Sequence, residues 1–173
     1  DIESIEGHQA GLFPIPGLLA YGSLGFVNAE PEDDGVIRYV PMVARAGNFI
    51  YPSLSLGTLM AYWGLKPEHV TVKVGESVIL EKDDFRREIP INHHGQLRVN
   101  YRYEMPSIGY LRLFQRVAGQ QTEFLKDKIL IMGQVATGLT DIGPSPLVPQ
   151  SPLVNTHMNV IDNLLKEDYL TSA

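Results

Sequence analysis

Apolar positions change their spacing several times along the chain, and each change marks an element. Leu56, Leu59, Met60 and Trp63 recur at helical spacing and predict a helix over Pro52 to Trp63. Pro52 suits its first turn, Ser53 can cap it and Gly64 can end it. Val154, Met158, Ile161, Leu164 and Leu165 form the stripe of a closing helix, Pro152 to Lys166. Ile108, Leu111, Phe114 (or Leu113) and Val117 predict a third over Ser107 to Val117, with Arg112 and Arg116 one turn apart on the other side. Elsewhere the pattern is that of strands. Gly25 to Ala29 and Val36 to Ala46 are rich in β-formers and flank the turn Asp33-Asp34-Gly35. Thr71 to Val74 and Ser77 to Leu80 flank Gly75-Glu76 as a hairpin. Ile89 to Asn92 and Gln96 to Tyr103 surround His93-His94-Gly95 as a second. There alternation places Leu97, Val99, Tyr101 and Tyr103 on one face and Arg98, Asn100 and Arg102 on the other. Lys128 to Met132 has the continuous apolar run of the most buried strand.

This order predicts an α/β fold of α+β character: a central mixed sheet with β-hairpins and packed helices, including a crossover from Tyr101 through the third helix to Ile131. The length suits one domain, residues 1–173. The stretch between Glu6 and Glu30 carries no formal charge, but Pro14, Pro16 and five glycines break any membrane helix. It is expected to form a buried loop, a short helix near Gly17 to Tyr21 and the start of a strand. No signal-peptide or stop-transfer pattern is present, which fits a cytosolic chain or a piece of a larger membrane protein.

A net charge of -6 opposes phosphate backbones, so nucleic acid is not an expected partner. With no cysteine, disulfides and thiolate metal sites are excluded. Gly133 and Gly138 have the spacing of a phosphate-binding loop, but Leu139 stands where its lysine belongs and cannot hold a triphosphate. The acidic run Glu30 to Gly35 lacks the alternating ligands of a calcium loop and fits a solvated turn. His93 and His94, adjacent on a strand, point to opposite faces and cannot grip one metal. His157 has neither Asn159 nor Asp162 one turn away, so a polar helix face is expected there. Arg98, Arg102, Arg112 and Arg116 face solvent or converge on an anion. No nucleophile is placed beside a base, so neither catalysis nor a cofactor nor a metal site is expected.

Several motifs fall in one order. Gly25 and Asn28 fit G-x-x-N, and Asp34, Gly35 and Arg38 fit D-x-D-G-x-x-R. Gly133, Ala136, Gly138 and Asp141 fit I-G-x-x-A-x-G-x-x-D, with Met132 in place of the isoleucine. His157, Asn159, Ile161, Asn163, Leu164 and Leu165 fit H-x-N-x-I-x-N-L-L. Together they resemble the type-2 CHASE domain, a sensory extracellular module associated with cyclases and histidine kinases. The resemblance runs from about Gly17 to Leu170, the later part of such a domain. It implies an extracytoplasmic sensor anchored through membrane segments outside this chain, an unidentified small-molecule ligand and a homodimer. The loop Gly133, Ala136, Thr137, Gly138 and Asp141 is the expected ligand rim. Gly25, Asn28, Asp34, Gly35, Arg38, His157, Asn159 and Asn163 are expected to be structural.

Overall fold

The computed structural model describes residues 2–5, 7–8, 15–102, 106–135 and 142–170. In chain order, β1 (Gly7–His8) and α1 (Pro16–Leu19) precede β2 (Tyr39–Pro41), β3 (Val43–Ala46) and β4 (Phe49–Pro52). Next come α2 (Leu54–Tyr62), β5 (Val70–Lys73), β6 (Ser77–Lys82), β7 (Phe85–Pro90) and β8 (Gln96–Arg98). The rest is α3 (Tyr110–Ala118), β9 (Ile142–Gly143), β10 (Ser151–Pro152) and α4 (Leu153–Lys166). The α/β character is as the sequence indicates. Among the described residues the strands are divided over several small sheets, β1-β3-β4, β5-β6-β7, β2-β8 and β9-β10, instead of joining one central sheet.

Local chemistry explains the hairpins. Gly75 takes φ +81 between β5 and β6, and Asp83 takes φ 51 between β6 and β7. The second of these turns makes β7 a strand that the sequence reading started only at Ile89. Gly47, at φ 58, likewise folds β4 back on β3. The long strand expected over Val36 to Ala46 is broken at Met42, whose N–H bonds to the Gly95 carbonyl at 2.8 Å. Of the strand expected over Gly25 to Ala29, only a bridge between Phe26 and Ser53 forms.

Pairing departs from the sequence reading at β8. The turn at His93-His94-Gly95 forms, closed by Asn92 N–H to the Gln96 carbonyl at 2.9 Å. Beyond it, however, β8 leaves its neighbour and pairs antiparallel with β2, Tyr39 to Arg98 and Val40 to Leu97. That exchange buries Val40 and Leu97 completely, a gain of roughly 1.5–3 kcal/mol each. Around them a core gathers Met42, Leu56, Leu59, Val78, Leu80, Ile89, Val160 and Leu164. Helix α2 begins where Ser53 Oγ accepts from Leu56 N–H at 3.1 Å and stops before Gly64 at φ +64. It packs against α4, which closes the core.

Two elements differ more sharply from expectation. Helix α3 forms, but none of its residues is buried, and Tyr110, Leu111 and Phe114 stay at least 60% exposed. The Lys128 to Met132 segment forms no strand and pairs with no described strand. Ile129 and Ile131 pack on the core, while Leu130 and Met132 are 59% and 79% exposed. The crossover expected through α3 into a central sheet is therefore not built among the described residues. In the uncharged stretch, Ile15 and Tyr21 are exposed at 68% and 93%, so its described part is not a buried loop.

Candidate functional site

Helix α4 carries a polar row as well as its apolar stripe, and the row is buried. His157, Asn159 and Asn163 are 5%, 3% and 1% exposed, so the polar helix face expected there is an interior one. The reason is that each side chain satisfies backbone or hydroxyl groups that have no other secondary-structure partner. Asn163 Oδ1 accepts from Asn100 N–H at 2.8 Å, and its Nδ2 donates to the Asn100 carbonyl at 3.0 Å. Asn159 Oδ1 accepts from Arg102 N–H at 3.2 Å. The helix thus stands in for the strand that would otherwise pair beyond β8.

His157 ties the other side of α4. Its Nδ1 lies 3.1 Å from Ser55 Oγ on α2, and its Nε2 lies 3.2 Å from the Val27 carbonyl. A carbonyl only accepts, so Nε2 carries a proton, and the Ser55 hydroxyl, beside Nδ1, also donates to the His157 carbonyl at 3.3 Å. Tyr101 donates to Thr156 Oγ1 at 3.2 Å, and burial raises its hydroxyl above the ordinary value. Burial also pushes Tyr169 up to about 12. Past the helix, Asp168 pairs with Arg102 at 2.5 Å and Glu167 with Arg87 at 3.0 Å. The sequence reading named His157, Asn159 and Asn163 as structural through the family motif but did not say what they hold; the further signal was Asn155, Asn159 and Asn163 recurring every four residues.

The acidic run folds into a clasp. Asp34 accepts from Val36 N–H at 3.0 Å and from both terminal nitrogens of Arg38, at 3.0 and 2.7 Å. Arg38 also reaches Glu32 at 2.7 Å. The hydrogen bond from Arg38 holds the Asp34 carboxyl down to about 2. Gly35 supplies the reversal at φ +80. Gly25 lets a second approach occur, because a Cβ there would lie 2.7 Å from Leu54 Cα. Asn28, the remaining member of that motif, is exposed.

A cleft of about 440 Å³ opens between α4, the end of α2 and the segment entering the predicted ligand loop. Tyr62, Ile129, Ile131, Met158 and Leu165 give it an apolar wall. Asp127 and Lys128 line it as well, with Asp162, whose carboxylate is paired to Lys166 at 2.6 Å. Gly133 follows this segment, and a Cβ there would lie 2.5 Å from Val154 Cβ on the first turn of α4. Of the predicted rim, Gly133 alone is described; Ala136, Thr137, Gly138 and Asp141 lie outside the described residues. Of the four arginines, Arg102 pairs with Asp168, while Arg112 and Arg116 line one open cleft with Gln115 and Gln121, and Arg116 also stacks 3.7 Å from the centroid of the Phe124 ring. Among the described residues, no group of three or more His, Asp or Glu side chains could hold a metal ion.

No described helix is long and apolar enough to cross a membrane. Neither the curated proteins nor the solved structures include a match to the chain. A family model described as CHASE2 domain matches residues 5–173, beginning before and ending after the motifs quoted above. With nearly every residue inside that match, the chain belongs to the CHASE2 family of extracellular sensory domains of signalling receptors.

Proposed function

We propose that this chain is the extracytoplasmic ligand-sensing domain of a bacterial transmembrane receptor whose output domain is a cyclase or kinase, and that the domain itself performs no catalysis. The observation that carries the proposal is the CHASE2 match across residues 5–173. The geometry supports it in two ways. The cleft beside Ile129 and Ile131 suits a small, largely apolar ligand, and it adjoins α4, the helix that His157, Asn159 and Asn163 tie to three other parts of the fold. A ligand that favours one seating of α4 over another shifts the receptor between two arrangements by that difference in affinity. The receptor works as a homodimer on this reading.

Topology tests the proposal directly. Alkaline phosphatase, which folds only outside the cytoplasm, would be fused within the full-length receptor after Lys166, with β-galactosidase at the same point as the reciprocal reporter. High phosphatase and low galactosidase activity are expected. The reverse pattern would place the domain in the cytoplasm and defeat the reading.

A further inference from the structure

Helix α3 is divided along its length. At about 100° per residue, Leu111, Phe114 and Val117 fall on one side, and Arg112, Gln115 and Arg116 fall on the opposite one. An apolar face calls for cover, whereas a charged face is stable in water. The arginine side therefore stays accessible whatever packs against the other.

Beyond its last turn the chain folds back over that charged side. Gln120, at φ 58, reverses the direction, and Gln121 N–H bonds to the Arg116 carbonyl at 2.9 Å. The reversal brings Phe124, in the short turn Glu123–Leu125, against the Arg116 guanidinium, 3.7 Å from the ring centroid. Arg112, Gln115, Arg116 and Gln121 then line an open cleft of about 580 Å³. Arg38, Arg86, Arg87 and Arg102 are each paired with a carboxylate. Among the described residues neither Arg112 nor Arg116 is, although the chain carries 20 acidic side chains against 14 basic ones. Stacking on Phe124 fixes the plane of the Arg116 guanidinium and leaves its N–H donors directed outward past the ring edge. The negative end of the helix dipole lies here and works against an anion. Its last carbonyls are occupied, however: Gln115 accepts from Gly119 N–H at 3.0 Å and Val117 from Gln120 N–H at 2.9 Å.

We propose that this cleft binds a phosphate-class oxyanion between Arg112 and Arg116, with the Gln115 and Gln121 amides donating to its remaining oxygens. One arginine fork already satisfies a carboxylate, whereas two forks one helical turn apart suit a tetrahedral group with more oxygens and more charge. A net charge of -6 gathers no anions at long range, so contact with the donors supplies the affinity. The site shares no residue with the cleft beside Ile129 and Ile131 and does not rest on the function proposed above.

Titration of the isotope-labelled 173-residue chain with inorganic phosphate, at constant ionic strength set with chloride, is the test. The side-chain N–H resonances of Arg112, Arg116, Gln115 and Gln121 are expected to shift together and saturate, while those of the paired Arg38 and Arg86 stay still. In R112Q/R116Q the glutamine resonances should no longer respond. R112K/R116K keeps the charge without the forks and is expected to bind about fivefold more weakly or worse. No residue of α3 is buried, so the variants should fold, as circular dichroism would verify. The same shifts with chloride alone, or saturation that R112Q/R116Q leaves unchanged, would overturn the proposal. So would full affinity in R112K/R116K, because charge without fork geometry would then suffice. Flotation with phosphatidylcholine vesicles, with and without phosphatidylglycerol, identifies the source of the oxyanion. Capture by the anionic vesicles alone, reversed by phosphate and lost in R112Q/R116Q, assigns it to a lipid headgroup. Absence of capture beside saturable phosphate binding assigns it to a free phosphate compound.

Discussion

Replacing Asn163 by Asp exchanges one atom group at a site where both halves of the amide are in use. Asn163 is 1% exposed, and it accepts from Asn100 N–H and donates to the Asn100 carbonyl. Alanine there removes both partners. Each stranded buried group costs roughly 1–3 kcal/mol, and because Asn100 is only half-buried the total is about 2–4 kcal/mol. That is a large part of the ~5–15 kcal/mol that holds a typical domain together. Aspartate behaves differently. Its carboxylate can accept from Asn100 N–H, but its second oxygen would face the Asn100 carbonyl oxygen, an acceptor against an acceptor. Protonation replaces that repulsion with an O–H donor, so the folded state raises the introduced carboxyl above its unfolded value of about 3.9. A raised folded value means that the folded state holds the proton longer. The penalty of N163D is therefore small below about pH 4 and grows with pH at up to ~1.4 kcal/mol per unit until the folded group ionises, then stays level. Urea unfolding at several pH values, followed by the fluorescence of the single tryptophan, Trp63, measures it. N163A should cost the same across that range. A penalty for N163D that does not change with pH would refute the assigned hydrogen bonds.

Gly35→Val should lower the melting temperature by forcing a β-branched residue into φ +80, a cost of roughly 1–3 kcal/mol. No atom lies within 4 Å of the position a Cβ would take, so a loss equal to that of Gly35→Ala would show that the backbone alone is responsible, and no loss would refute the strained turn. D34N tests the Arg38 clasp. Asp34 is depressed from 3.8 to about 2, so its contribution is complete above the unfolded value and disappears as pH falls through the folded one. D34N should melt below wild type at pH 6, and the two curves should converge towards pH 2; a gap that persists there would contradict the electrostatic origin.

Turns were the legible part of the fold, because they are decided by one or two residues. Gly35, Gly64, Gly75 and Gly95 all take positive φ at places where composition indicated a reversal or a stop. The Ser53 cap was legible for the same reason. Strand pairing was not, since β8 is joined to β2 by burial of Val40 and Leu97, which are far apart in the chain. The amphipathic pattern of α3 showed a face but not a partner, and among the described residues the helix has little against that face. In Lys128 to Met132 a continuous apolar run indicated two buried faces, whereas Leu130 and Met132 remain largely exposed. At the candidate site, the apolar stripe and the polar row of α4 were both readable, but the burial of the row was not. Asparagine is ordinarily a surface residue, and only the unsatisfied backbone at Asn100 and Arg102 explains its burial.

That backbone pairing also fixes how α4 can move. Four residues of helix advance about 6 Å, and two residues of strand advance about 6.6 Å. The near match lets Asn159 and Asn163 grip Arg102 and Asn100 at the same time. Presenting the next residue of the helix at either site would require a turn of about 100°, which would swing both amides away. Asn155 continues the row one turn earlier, and a whole-turn slide would offer Asn155 and Asn159 to the same two backbone sites. Two amides gripping at once fix where α4 sits along its own axis, as a pawl holds a toothed rack.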